Sequence, residues 1–204
     1  MHTLTLNPHT PNNKVQERRR RIIEATGQLA AEGGMAAVRS RSVCERAGVT
    51  MGTLYRDFSS LEEVLLIGFA TQFGGFGEQF PNGVAPGSNA VERIERFFTE
   101  ATEAVTRDPN YGRAIVSALA AGQSKAMASL AQLTLQIAAL VQSAWTGIPA
   151  VTHGSVSERD RLIAFTLERV WLSVLIGWAS GIRPAESIVG EVVATAQLFI
   201  QKHD

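Results

Sequence analysis

Between Ser40 and Phe58 the chain has room for two short helices with almost nothing to join them, and this constrains the fold more than any other stretch. Ser40 can cap the first, Val43 and Ala47 face inward, and Gly48 supplies the left-handed conformation that commonly ends a helix. Thr50 is a good N-cap for the second, which carries Leu54 and Phe58 on its buried side at i, i+4. Cys44 is small where the two must cross closely, and Val43, Ala47, Val49 and Leu54 fill the space beneath. Met51, Thr53, Arg56 and Asp57 are left on the outer face, with Tyr55 beside them. In such a pair the second helix can lie in a DNA major groove while the first crosses the backbone, although similar hairpins occur in proteins that bind nothing.

The rest of the chain reads as helices separated by Gly and Pro, without a strand or an internal repeat. Ile22, Ile23, Thr26, Leu29 and Ala30 recur at helical spacing and predict a first helix from Lys14 to Glu32, stopped by Gly33-Gly34. Either Ser59-x-x-Glu62 or Ser60-x-x-Glu63 makes a capping box for a fourth, whose Leu65, Phe69, Phe73 and Phe76 form one apolar stripe. The Gly- and Pro-rich stretch 74–88 is a connector. Further helices are expected from Asn89 to Arg107, from Asp108-Pro109, from Gln123 to Thr146, from Ser157 to Gly181, and from Arg183-Pro184 to near Lys202. The fold class is therefore all-α, with about nine helices. Residues 1–13, polar and carrying Pro8 and Pro11, are expected to be a disordered arm.

The formal net charge is zero, but it divides unevenly. From Lys14 to Phe58 there are nine basic and five acidic residues, so the remainder carries ten basic and fourteen acidic. A basic module joined to a mildly acidic one suits a protein facing a polyanion. No apolar run reaches the roughly 18–20 residues of a membrane span, and no signal-peptide core is present, so a cytoplasmic protein without a membrane partner is expected. A single cysteine, Cys44, and four scattered histidines (His2, His9, His153, His203) offer no disulfide and no ligand spacing, so neither metal nor cofactor is expected. Nucleophile elbow, phosphate loop and paired acids are all lacking, which argues against an enzyme.

Residues 22–65, and above all Arg46-Ala47-Gly48-Val49-Thr50-Met51-Gly52-Thr53-Leu54-Tyr55-Arg56-Asp57-Phe58, closely resemble the DNA-binding domain of the tetracycline-repressor (TetR) family. The resemblance implies a helix-turn-helix domain over 14–60 and an effector-binding, dimer-forming domain over 61–204. It further implies that Thr50 and Tyr55 contact phosphates, that Met51, Gly52 and Thr53 meet base edges with Arg56 close by, and that Arg39, Ser40 and Arg41 meet the backbone. Hydroxyls and helix N-termini do bind phosphate oxygens, and a Thr methyl can pack on thymine. Plainer readings stand beside these: Tyr55 packing on the first helix, Met51 as an ordinary exposed side chain, Gly52 merely relieving crowding. Arg18 to Arg21 read equally as a solvated helix face and as a source of two phosphate contacts, Arg19 among them. Two departures from the family pattern also matter. An aromatic or His is usual where Asp57 stands, and a Lys where Leu61 stands, so Asp57 is expected to repel phosphate and weaken non-specific binding. A hydrophobic-ligand carrier that has lost specific DNA binding is the alternative these departures favour.

Between Ala114 and Ser157 the only charged residue is Lys125, so the helices there must be covered. Packed core is one explanation and a ligand cavity the other. By resemblance, Phe69, Phe73, Phe97, Phe98, Tyr111, Leu119, Leu133, Ile137, Trp145 and Phe165 lie on helices that the family arranges around its effector pocket. No charged residue sits among them, which points to a bulky hydrophobic effector with few ionic demands. Val170-Trp171-Leu172-Ser173-Val174-Leu175-Ile176-Gly177-Trp178, read with Gly52 to Arg56, resembles the subgroup that represses cholesterol and steroid catabolism. That implies a steroid acid, its coenzyme A thioester or a related lipid as effector. The last two helices are expected, again by resemblance, to form a four-helix homodimer interface through Trp171, Leu175, Trp178, Ile188 and Val192, with the two tryptophans alternatively serving as core anchors. A two-fold dimer would read a palindromic double-stranded operator, with half-sites about one helical turn apart.

Overall fold

The computed structural model describes residues 11–121, 127–149 and 156–200, and every regular element among them is helical. In chain order these are α1 (Pro11–Ala37), α2 (Ser40–Ala47), α3 (Met51–Asp57), α4 (Leu61–Gly74), α5 (Ala90–Thr106), α6 (Pro109–Ala120), α7 (Met127–Thr146), α8 (Glu158–Ala179) and α9 (Ser187–Ile200). Two short 3-10 turns, Phe76–Gln79 and Pro81–Gly83, occupy the connector between α4 and α5. Residues 1–10 of the expected arm, the expected first turn of the seventh helix, residues 150–155 and the expected end of the ninth helix lie outside the described residues. Residues 11–13 stand in the first turn of α1.

The boundaries follow the local chemistry except at the start of α2, where Ser40 is already in the first turn and Arg39 holds the cap position without a side-chain cap. Regular α1 geometry breaks at Gly33 and at Gly34, whose φ of 65° is a conformation that glycine adopts without cost. The capping box of α4 is the Ser60–Glu63 one: Ser60 accepts from the Glu63 N–H at 3.1 Å, while the Glu63 carboxylate reaches back to the Ser59 N–H at 2.6 Å. Asn89 caps α5 by accepting from Glu92 N–H at 3.0 Å, and Asp108 caps α6 by accepting from Tyr111 N–H at 3.0 Å, with Pro109 in the first turn.

The inner face of α1, with Ile22, Ala25, Thr26, Leu29 and Ala30 buried, packs on α2, α4 and α6. Asn110 at the start of α6 donates to the Ala31 carbonyl at 3.1 Å, so the first helix is tied directly to the C-terminal bundle. Within that bundle α8 lies among α6, α7 and α9, and α5 packs on α7 and α9. Arg93 of α5 donates to the Ala144 and Trp145 carbonyls at 2.8 and 3.0 Å, placing a cation at the C-terminal end of α7 where the helix dipole favours it. Trp145 in turn donates to Asp160 at 2.9 Å, tying the end of α7 to the start of α8.

At 22 residues α8 is long and apolar enough by composition to cross a bilayer. Its apolar side is nevertheless taken up by the bundle, where Ile163, Leu167, Trp171, Val174, Leu175 and Trp178 are buried.

Candidate nucleic-acid interface and effector cavity

The corner between α2 and α3 is made by Gly48, at φ 64° and ψ 44°, whose N–H returns to the Cys44 carbonyl. Arg21 of α1 donates to the Ala47 carbonyl at 2.9 Å and braces the same corner. Thr50 then caps α3, its hydroxyl oxygen accepting from the Thr53 N–H at 3.2 Å. Within α3, Leu54 is 1% exposed while Met51 and Tyr55 are 46% and 51% exposed, so the inner and outer faces separate sharply. Gly52 and Arg56 are exposed with them, and Thr53 is half-buried. The Tyr55 hydroxyl lies 2.6 Å from that of Ser40, joining the N-terminus of α2 to the outer face of α3. Arg39 donates to the Ala36 carbonyl at 3.2 Å, and Arg41 pairs with Glu45 on the open surface. The exposed side chains of α3 and the N-terminus of α2 are thus linked through the Ser40–Tyr55 contact.

The arginine run of α1 behaves otherwise than expected. Arg18 is bidentate to Asp57, with Nε–Oδ2 at 2.6 Å and Nη2–Oδ1 at 3.1 Å. Arg19 lies over the Phe58 ring at 4.2 Å and donates to the Asp57 carbonyl, while Arg20 is held between Glu17 and Glu24. Arg19 therefore braces the end of α3, one hydrogen bond and one ring contact engaging its guanidinium. The expectation for Asp57 is corrected. Its side chain is 7% exposed and turned toward Arg18, whose hydrogen bonds hold the carboxyl below the ordinary carboxylate range against the opposing effect of burial. A neutralised, inward-facing carboxylate does not repel a phosphate as a bare one would. Leu61 packs against the core.

A cavity of about 470 Å³ opens in the C-terminal bundle. Its wall comes from Phe69 of α4, Val105 of α5, Ile115, Val116 and Leu119 of α6, Ala131, Leu133, Thr134, Leu135 and Ile137 of α7, and Glu168, Arg169, Trp171, Leu172 and Leu175 of α8. It is mainly apolar, within the size range of small-molecule sites. Behind it the rings of Phe73, Phe76, Phe97 and Phe98 pack in a chain of stacked and edge-on contacts, and Phe98 meets Trp171 at 5.5 Å between centroids. Trp171 also donates to the Thr102 hydroxyl at 3.0 Å, which fixes its ring in the wall.

Residues 22–66 match the family described as bacterial regulatory proteins, tetR family. Across 189 residues the chain is 32% identical to the HTH-type transcriptional repressor KstR of Rhodococcus jostii (strain RHA1), covering 93% of this chain and 85% of that protein. The chain belongs to the TetR family. Two solved structures share its fold: a TetR transcriptional regulator from Rhodococcus sp. RHA1 (TM-score 0.77, 21% identity, 92% of this chain and 97% of that one) and Thermus thermophilus FadR in complex with lauroyl-CoA (TM-score 0.68, 20% identity, 90% and 93%). This TetR-family protein is thus a helix-turn-helix transcriptional regulator, in keeping with the expectation that it is not an enzyme.

Within this TetR-family chain the expected effector residues divide. Phe69, Leu119, Leu133 and Ile137 line the cavity. Phe73, Phe97 and Phe98 are core side chains behind it, Tyr111 faces a separate cleft between α1, α4 and α6, and Trp145 joins α7 to α8. Phe165 points outward, 49% exposed, with the Arg169 guanidinium over its ring at 4.8 Å. The expected dimer contacts are corrected together: Trp171, Leu175, Trp178, Ile188 and Val192 are all buried within a single chain, so they cannot present surface to a second copy. Trp171 and Leu175 are cavity wall instead.

One cavity residue contradicts the expectation of a wall without charge. Glu168 is 4% exposed and faces the cavity, and its Oε2 has no hydrogen-bond partner among the described residues. Arg169 Nε lies 3.1 Å from that oxygen, a charge contact without hydrogen-bond geometry. Burial pushes the Glu168 carboxyl above its ordinary range, and Arg169 opposes this only in part. The sequence carried a signal for it, because Glu168 falls on the stripe Ala164, Leu167, Trp171, Leu175 at helical spacing.

Proposed function

We propose that this protein is a ligand-responsive repressor, acting in the cytoplasm as a homodimer on a palindromic operator and released from it by a bulky hydrophobic molecule of the steroid or acyl-coenzyme A type. The observation that carries the reading is the pairing of an exposed recognition-helix face with a mainly apolar cavity walled by α6, which packs directly on α1. DNA contacts are assigned to Arg39, Ser40, Arg41, Thr50, Met51, Gly52, Thr53, Tyr55 and Arg56, within a DNA-binding domain of residues 14–60. Residues 61–204 hold the effector and the partner subunit. The relative named as a repressor supports the direction of control, and the fold neighbour in complex with lauroyl-CoA supports a lipid-like occupant. An effector that favours one spacing of the two recognition helices shifts the population by its differential affinity, about 5.5 kcal/mol for a swing from one extreme to the other.

A gel shift against the DNA upstream of its own gene tests the reading. Thr53→Ala combined with Tyr55→Phe is expected to weaken the specific complex by roughly tenfold or more, since base and phosphate contacts contribute about 1–3 kcal/mol each. Both side chains lie at the surface, so the melting temperature should stay within about 2 °C of wild type. An unaltered operator affinity would remove the contact assignment, and no retarded complex at all would favour the ligand carrier.

The dimer face moves to the outer stripes of α8 and α9. Leu162, Phe165 and Ile176 on α8 and Leu198 on α9 are large, apolar and exposed, and Gly190 and Ala194 leave α9 flat enough for a second helix to approach. Phe165→Asp with Leu198→Asp should convert the species seen by light scattering from twice the 22.0 kDa chain mass to a single chain mass. A variant that remains dimeric would exclude this face.

A further inference from the structure

We propose that Glu168 reads the effector, forming a hydrogen bond with an uncharged oxygen, a hydroxyl or a ketone, carried by an otherwise apolar molecule in the cavity. The inference rests on the cavity being the effector site and adds the chemistry demanded at one point of its wall. Of the fifteen described wall residues only Thr134, Glu168 and Arg169 are polar or charged. Arg169 is half-exposed, with its guanidinium shared between the Phe165 ring and the Glu168 carboxylate, so it stands at the rim. Among the described residues Glu168 Oε2 and Gln136 Oε1 are the buried side-chain oxygens left without a hydrogen-bond partner, and of the two Glu168 is the one in the cavity wall.

A buried polar oxygen without a partner destabilises the free protein, and a ligand that supplies the missing hydrogen bond recovers that loss on binding. The carboxyl can serve in either protonation state: ionised, it accepts from a hydroxyl; protonated, it donates to a ketone. With Glu168 ionised, an effector carboxylate at the same place would set two anions beside the single guanidinium of Arg169, which is already shared with the Phe165 ring. The site therefore selects for a neutral oxygen at the Glu168 end, whatever the molecule bears at its other end. Apolar area supplies most of the affinity, and Glu168 supplies the discrimination, because a site built to hydrogen-bond an oxygen rejects the analogue lacking it.

Full-length protein is loaded with the neutral dye Nile red, which is displaced by three matched compounds: 4-phenylcyclohexanol, phenylcyclohexane and 4-phenylcyclohexanecarboxylate. Wild type is expected to prefer the alcohol to the hydrocarbon by about tenfold, and to the carboxylate by at least as much. Glu168→Leu should bring the alcohol-to-hydrocarbon ratio within threefold of unity. Glu168→Gln, which keeps a neutral donor and acceptor, should retain that ratio and narrow the gap to the carboxylate. A ratio within one protein cancels any general loosening of the fold, and the Gln variant stands in should the Leu variant fail to fold. Nile red binding with the same ratios in wild type and variants, or a carboxylate taken as tightly as the alcohol by wild type, overturns the role of Glu168 alone. Failure of Nile red to bind at all overturns the reading of the cavity as an effector site.

Discussion

Gly112→Ala is expected to destabilise the fold by about 3 kcal/mol or more, the upper end of what overpacking a core costs. A Cβ at this position would stand 2.0 Å from the Val105 carbonyl oxygen, 3.1 Å from the Val105 carbonyl carbon and 3.0 Å from the Trp178 ring. The first two are backbone atoms at the end of α5 and cannot rotate away, and the Trp178 ring is buried with the Arg113 guanidinium over it at 5.6 Å. The α5–α6 corner itself would have to open. That corner positions Val105, Ile115, Val116 and Leu119 in the cavity wall and holds Asn110 against the Ala31 carbonyl of α1, so the damage should reach operator binding as well. Thermal denaturation should show a fall of roughly 6–12 °C for a chain of this size. Gly75→Ala, where nothing lies within 4 Å of the added atom, is the control and should change little. A Gly112→Ala protein melting within about 2 °C of wild type would show that the corner yields freely.

What the sequence disclosed is what local chemistry decides. Gly48, Thr50, Ser60, Asn89 and Asp108 end or begin helices through hydrogen bonds made within a few residues, and they stand where the pattern puts them. Helical periodicity also states which residues turn inward, but not what they meet there. Trp171 and Trp178, seven residues apart, do share a face of α8, and it is the face toward the core; the outward stripe carries Leu162, Phe165 and Ile176. Likewise Phe73 and Phe98 are as buried as Phe69, and only the packing of other helices makes one of them cavity wall and the others core. The partner of Asp57 lies 39 residues earlier in the chain, beyond any local pattern, which is why a carboxylate in the recognition helix read as a defect when it is half of an ion pair. With that charge neutralised, the main sequence argument for a chain that no longer binds DNA loses its force.

That ion pair carries the second large effect. Arg18→Ala is expected to lower the melting temperature measurably, by less than breaking a fully buried pair would, because the Arg18 side chain keeps 21% of its exposure. The loss arises from leaving the Asp57 carboxylate nearly buried with only the longer 3.5 Å contact to Arg56. It should be recovered in large part by Arg18→Ala with Asp57→Asn, and a double-mutant cycle giving a coupling below about 0.5 kcal/mol would show that the two side chains do not support one another. Acid supplies an independent check with a defined sign. Arg18 holds the Asp57 carboxyl below its ordinary value of 3.8, so the folded state binds fewer protons than the unfolded one in that range. The stabilisation is therefore complete above about pH 3.8 and is lost as the pH falls further toward the depressed folded value. Glu168, pushed the opposite way by burial, contributes the opposite slope, so the comparison is best made as wild type minus Asp57→Asn, in which it cancels. The difference should be flat at neutral pH and shrink in acid. At neutral pH Arg18→Ala should also weaken the operator complex more than the loss of one distant cation would, since it releases an anion at the end of the recognition helix. A variant that binds DNA as wild type does would mean that Asp57 lies clear of the duplex whether paired or not.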